Sequence, residues 1–275
     1  MNSELTDGSL ADFAANKFEF RDTRMFAKYL MGAIAGLGLF GAVSLFRQAN
    51  NNGSPIFLIA AGAALVAMLV GLAIVYFAFG QPVLLRQTAT GIERVAGTKQ
   101  QHIALGDLSG FRAKWTDVLR NGVYSYTQVR FGFCSQDPAA PVITYDATAD
   151  FETPKYQQLQ EFQDEIAGVV AERMLETMER DGRVEWTAKL ALRPDGLEIT
   201  KKSGAAPELV GFDRVSQWKI DQGLFKLGVD DSTRPVLTED VSEWNFYPGL
   251  SLFLRLCDSP GSQSAINAES YVNVG

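Results

Sequence analysis

Side chains able to do chemistry are few in this chain, and their spacing is poor. His102 is the only histidine among 275 residues, which removes His-paired metal sites and makes a hydrolytic triad hard to build. It falls in the turn-like stretch Gly97–His102, where an exposed polar side chain is expected. Cys134 and Cys257 stand far apart with no C-x-x-C spacing, so both read as small buried apolar residues rather than a disulfide or a thiolate site. No G-x-S-x-G, Walker-type loop or H-E-x-x-H occurs. Asp230-Asp231 reads as a turn without the second ligand cluster that a calcium or magnesium site needs. Glu161, Asp164 and Glu165 read as the solvated face of a helix, not a catalytic carboxylate pair. Gly36–Gly41 spells G-x-G-x-x-G, but inside an apolar run that offers no helix N-terminus to a pyrophosphate. No catalytic residue, metal ligand, cofactor or small-molecule substrate is therefore expected, and the chain does not read as an enzyme.

Two pairs of residues carry the binding hints. Lys201-Lys202 follows the strand-like Leu197–Thr200 in a turn. Each lysine near an anionic lipid surface supplies about 1 kcal/mol, and the plain alternative is a solvated turn. Tyr124 and Tyr126 share the polar face of Val123–Phe133, opposite Val123, Val129, Phe131 and Phe133. They mark a protein contact or lie under a helix.

The element that positions everything else is an apolar hairpin. Tyr29–Phe46 is eighteen residues without a charge, and Ile56–Phe79 is twenty-four. About 20 helical residues cross a bilayer's hydrocarbon layer. The first run becomes long enough if it starts near Met25, with Lys28 reaching back to the interface. Lys17, Arg21, Arg24 and Lys28 precede the pair, Arg86, Arg94 and Lys99 follow it, and the link between holds only Arg47. By the positive-inside rule both termini and the polar region are cytoplasmic. Gly32 and Gly36 in the first span, and Ala63, Ala67 and Gly71 in the second, form small-residue stripes. Their simplest use is packing the hairpin onto itself, and the sharper one is packing between protomers. No ionisable group sits mid-span, which argues against transport.

Beyond residue 80 the period changes several times. Val123–Phe133 alternates as a strand after the turn signal Asn121-Gly122. Between Thr153-Pro154 and Asp181-Gly182, Leu159, Phe162, Ile166, Val170, Met174 and Met178 recur at helical spacing. Then a pattern repeats. Thr90-Gly91-Ile92-Glu93 is echoed by Asp195-Gly196-Leu197-Glu198, and Asp107 by Asp213, with aromatic residues after each. A short apolar helical run, Leu250–Leu256, closes the second pass. Two similar units of strands followed by one helix are expected. Residues 1–86 hold six Lys/Arg against five Asp/Glu, and the remainder nineteen against twenty-seven. Such an acidic polar region disfavours nucleic acid as a partner.

In this order, the "-G-I/L-E-" strand start, the acid-plus-aromatic strand (Asp107 to Trp115, Asp213 to Ile220) and the closing helix resemble bacterial membrane proteins of uncharacterised function. Those proteins join a two-span hairpin to pleckstrin-homology-like (PH-like) domains. The resemblance implies a membrane α-helical hairpin plus an α+β cytoplasmic region of two PH-like units, each a bent antiparallel sheet with a C-terminal helix. The expected divisions are a cytoplasmic segment 1–24, the hairpin 25–80, a first unit 81–186, a second unit 187–258 that is short for a full copy, and a disordered tail 259–275. The expected function is that of a multi-pass protein of the bacterial inner membrane. It scaffolds a protein partner or its own copy, the alternatives being a lipid head-group sensor and, behind that, an enzyme of unknown type.

Overall fold

The computed structural model describes residues 16–22, 25–52, 55–79, 83–201, 204, 206–230, 232 and 234–257. The tail after Cys257, most of the segment 1–24, Asp231 and Lys202, together with the Lys28 side chain, lie outside them. The chain divides into two compact units, residues 19–86 with 94–100, and residues 1–18, 87–93 and 101–275.

Helices α1 (Met25–Asn52) and α2 (Pro55–Phe79) form the hairpin. Both are long and apolar enough to cross a membrane. Among their described side chains only Ala42, Ala61 and Val75 are buried, while Leu37, Phe40 and Ile59 are among those left open. A helix buried in a water-soluble core shows the reverse. The seam runs where Gly38 faces Met68: a Cβ on Gly38 would stand 2.6 Å from Met68 Cγ. Gly71 lies close to Ile34 on the same seam. Gly32 and Gly36, by contrast, have no neighbour within 4 Å of a Cβ position, and Ala63 and Ala67 are exposed. The hairpin's own seam thus takes in one residue of the expected stripes. Of the five residues only Gly71 lines the hairpin's own seam, because the helices meet on the faces of Gly38, Ala42, Ala61, Ala64 and Met68.

The remaining elements come twice. In the first pass, β1 (Asn16–Asp22), β2 (Val83–Thr88), β3 (Gly91–Ala96) and β4 (Lys99–Ala104) form a four-stranded sheet in that order. Then β5 (Leu108–Arg120), β6 (Val123–Ser135) and β7 (Ile143–Ala149) form an antiparallel three-stranded sheet, followed by α3 (Pro154–Asp181). In the second pass, β8 (Val184–Glu185), β9 (Leu190–Arg193), β10 (Gly196–Ile199) and β11 (Glu208–Gly211) form a four-stranded sheet. Next, β12 (Val215–Asp221), β13 (Leu224–Val229) and β14 (Leu237–Asp240) form a three-stranded one, followed by α4 (Phe246–Cys257). The second copy, short as it is, carries the same complement as the first.

Local geometry repeats as well. A short 3₁₀ turn precedes each three-stranded sheet, Leu105–Asp107 in one copy and Phe212–Arg214 in the other. A bulge follows at the same place, between Leu108 and Gly110 and between Val215 and Gln217. Gln136 N–H donates to Asp107 O and Asp230 N–H to Arg214 O, both at 2.8 Å. Asp107 therefore corresponds to Arg214, and the apparent match of Asp107 with Asp213 is one residue out of register. The glycine match holds. A Cβ on Gly91 would strike the carbonyl oxygen of Ile103, and one on Gly196 that of Val210, so each strand start needs a residue without a side chain.

Two predicted features changed character. Asn16–Asp22, expected only as part of a cytoplasmic segment before the spans, is a strand, so the hairpin interrupts the chain between β1 and β2. Its Phe18 meets Phe162 edge-on with ring centroids 5.6 Å apart, and Phe20 is buried. Glu165 is not a solvated acid, because it takes an ion pair from Lys17 of β1 and a hydrogen bond from the Gln87 amide of β2.

Each core is aromatic. Phe111, Phe131, Phe133 and Phe162 cluster in the first copy with centroids 5.3 to 6.4 Å apart. Trp186 centres the second, against Phe225, Phe246 and Phe253, and its Nε1–H donates to Phe246 O at 2.8 Å. All six predicted apolar positions of α3 are buried. The helix is capped by the Thr153 hydroxyl, which accepts Tyr156 N–H at 3.3 Å, and by left-handed Gly182.

α4 packs on α3 and on β5, which joins the copies. Asn245 brackets the edge of β5, accepting Phe111 N–H on Oδ1 at 3.0 Å and donating its own N–H to Phe111 O at 2.8 Å. The Arg112 guanidinium lies 4.6 Å from the centre of the Trp244 ring, and Arg255 pairs with Glu172. Burial, then Asp164 on α3 and Asp240 at the end of β14, push the Tyr247 phenol above its ordinary range.

Candidate interaction site

The residues that could meet a partner gather at the tip of β5–β6. Asn121 and Gly122 take positive φ of 54° and 80°, the two-residue turn whose twist suits a hairpin. β5 and β6 each run thirteen residues, but β7 pairs with β6 only from Thr127 to Phe133. The hairpin therefore outruns its third strand. Trp115 anchors the extension to α3, with Nε1–H donating to Gln163 Oε1 at 2.6 Å and its ring edge-on to Tyr156.

Beyond Trp115 a chain of hydrogen bonds fixes the tip. Phe151 N–H donates to the Tyr124 hydroxyl at 2.8 Å, that hydroxyl lies 3.0 Å from Thr127 Oγ1, and Thr127 donates to Asp117 Oδ1 at 2.6 Å. With Tyr124 accepting from the backbone, its proton is directed to Thr127, so each group gives one bond and takes one. Tyr156 stands close by, its phenol raised above the ordinary range by burial first, then by the charge of Asp117 and by Tyr124. The chain runs unbroken from the Phe151 backbone to the Asp117 carboxylate. Its chemical effect is to aim the Tyr124 ring and the Phe151 backbone.

What the chain holds in place is apolar. Leu119 is 61% exposed, Val123 69%, Phe151 53% and Tyr124 38%. Leu119 lies directly across from Tyr124 in the ladder, and Arg120 from Val123. Tyr126 is half-buried opposite Val118. The sequence placed Val123 on the buried face with Val129, Phe131 and Phe133. Those three are buried, and Val123 is exposed because the core ends before the strand does. Asp117, Thr127 and Phe151 carry no sequence signal of their own, and only the excess of β6 over β7 in length would have exposed the overhang.

Other sequence candidates lie apart. Lys201 forms an ion pair with Glu208 at 2.6 Å, which takes up one of its three donors, and Lys202 is outside the described residues. His102 is on β4 rather than in a turn, and is exposed. It borders an open cleft of about 540 Å³ with Asp107, Ser135 and Asp137. There the Asp137 carboxylate accepts Ala139 N–H at 2.9 Å and Ser135 Oγ accepts Asp137 N–H at 3.2 Å, so both serve the turn. Among the described residues, no three His, Cys, Asp or Glu side chains gather as metal ligands. Cys134 and Cys257 are free thiols, half-buried and buried.

No protein-family model matches the chain, and no curated protein does.

Proposed function

We propose that this is a membrane-anchored interaction protein without catalytic activity of its own, in which two PH-like modules bind a protein partner or a second copy of the chain. The observation that carries this reading is the duplication itself: four strands, three strands and a closing helix, twice, in one chain with two helices apolar enough to span a bilayer. A bent sheet closed by one helix is what the PH-like resemblance implies for each copy. The apolar tip of β5–β6 and the bracket of Asn245 on β5 support a binding module rather than a reaction vessel. Basic residues flanking the hairpin, against Arg47 alone in its link, support a multi-pass protein of a bacterial inner membrane with both termini in the cytoplasm. Head-group sensing through Lys201-Lys202 is the weaker reading, since Lys201 is already paired with Glu208.

The test is cross-linking in intact membranes, followed by detergent extraction and light scattering of the full chain. The expected result is a reproducible adduct, with one partner or with a second copy, that survives purification. A monodisperse monomer that never cross-links in repeated trials overturns the proposal.

A further inference from the structure

The two copies differ in what covers the outer edge of their three-stranded sheet. In each sheet the first strand is an outer one, β5 in the order β5-β6-β7 and β12 in the order β12-β13-β14. An outer strand presents a row of N–H and C=O groups that can take on a further strand. On β5 that row is used. Asn245 holds both backbone groups of Phe111, and the Trp244 ring lies beside Gly110 and Gly132, under the Arg112 guanidinium. The segment between β14 and α4 of the second copy thus closes the first.

The ladders identify the matching residues of β12. Just past the bulge, Gly110 and Phe111 face Cys134 and Phe133, as Gln217 and Trp218 face Gly228 and Leu227. Trp218 therefore stands where Phe111 stands, and Lys219, another cation, where Arg112 does. Phe111 is fully buried, whereas Trp218 is half-buried and Ser216, Gln217 and Lys219 are exposed. After α4 the sequence continues for eighteen residues, 258–275, outside the described ones. Residues 259–264 are Ser, Pro, Gly and Gln, a linker composition. Tyr271, Val272, Asn273 and Val274 form the run there richest in strand-forming side chains. Like Trp244-Asn245-Phe246, that run sets an asparagine between apolar residues, with an aromatic ring just ahead. Reach is not limiting. Phe253, near the end of α4, has its ring 6.2 Å from that of Phe212, in the turn just before β12. A linker such as residues 258–270 spans about 20 Å as a flexible coil and about 45 Å at full extension.

We propose that residues 271–274 of the same chain add to the outer edge of β12 as a further strand, closing the second copy as residues 244–246 close the first. Strand addition of this kind draws affinity from main-chain hydrogen bonds and selectivity from alternate side chains. An occupant carried on the same chain also keeps two molecules from pairing through that edge. The contact lies within the second copy, and needs neither a membrane nor another protein.

The experiment reads amide exchange residue by residue on the full chain in detergent. Phe111 N–H points away from β6, to Asn245. By the same register Trp218 and Ile220 N–H point away from β13, and Lys219 N–H points into it. The expected result is slow exchange at all three in the parent chain. N–H groups also alternate along the added strand, so one of Val272 and Asn273 donates to β12, and proline lacks that donor. One of the variants Val272→Pro and Asn273→Pro should therefore speed exchange at Trp218 and Ile220 by about tenfold or more, leaving Lys219 protected by β13. Protection should survive dilution of the protein, as a contact within one chain does. Fast exchange at Trp218 and Ile220 in the parent chain overturns the proposal, as does unchanged protection in both proline variants. Protection lost on dilution, with dimers in light scattering of the concentrated sample, overturns it in favour of a second copy.

Discussion

Glu198 shows how the second copy holds its charge. Its carboxylate accepts Arg183 Nε–H at 2.7 Å and Arg193 Nη1–H at 2.9 Å. The Arg183 hydrogen bond first, then that of Arg193, hold its pKa below the ordinary 4.5. A carboxyl group whose folded pKa is depressed stabilises the fold fully above its unfolded value, and loses that contribution as pH falls through the folded one. Both guanidinium groups are partly open to water, so screening limits the effect to about 1 kcal/mol. Glu198→Gln should therefore lower the melting temperature at pH 7, with the gap to the parent closing below pH 4.5. Melting the full chain and the variant in detergent across that range is the check, and a gap that persists or widens in acid refutes the pairing. The same logic makes Lys201 a poor head-group ligand, since Glu208 holds it at 2.6 Å. Sequence displayed the two lysines side by side, but Glu208, seven positions on, is brought back only by the pairing of β10 with β11.

At the scale of elements, the hairpin helices separate two kinds of glycine that look alike in sequence. A side chain at Gly38 collides with Met68, whose Cβ stands 2.7 Å from the added atom, while Gly36 meets nothing. Gly38→Ile should open the α1–α2 seam and lower thermal stability in bicelles, by the 1–3 kcal/mol typical of an overpacked contact, and Gly36→Ile should leave it unchanged. Equal effects at the two positions would place the seam elsewhere. The glycine motif was legible and its direction was not, because an apolar helix shows no polar face from which to read its orientation. Long amphipathic α3 was the easiest element to foresee, with Thr153, Pro154 and Gly182 marking its ends and six apolar positions its buried face. Strand β1 was the hardest. Asn16–Asp22 is short, and its partner β2 lies beyond both helices in the chain, so the residues that give Phe20 a reason to be buried are distant in sequence. The tip of β5–β6 was half legible: the turn and alternation were plain, but only pairing with the shorter β7 reveals where burial stops.

For the whole molecule the decisive fact is that two copies of one plan are joined by specific contacts, not merely strung together. Asn245 satisfies the backbone of Phe111 along the open edge of β5, just past the bulge between Leu108 and Gly110. Trp244 stacks under Arg112, Arg255 reaches Glu172, and Tyr247 sits where burial and acids of both copies raise its pKa. α4 has twelve residues, too few to be stable alone in water, so its persistence depends on α3 and β5. Hydrogen exchange on the full chain should accordingly place Phe246–Cys257 in the same protection class as Leu159–Met178, the two opening together. Asn245→Ala removes the side-chain acceptor and puts alanine at a φ of 60°, costing about 1–3 kcal/mol from the stranded amide and more from the backbone. In that variant α4 should exchange roughly tenfold or more faster, the factor that 1.4 kcal/mol sets, while the middle of α3 keeps its protection through the phenylalanine core of the first copy. If α4 already exchanges faster than α3 in the parent chain, the copies are independent modules and the bracket at Asn245 does not unite them.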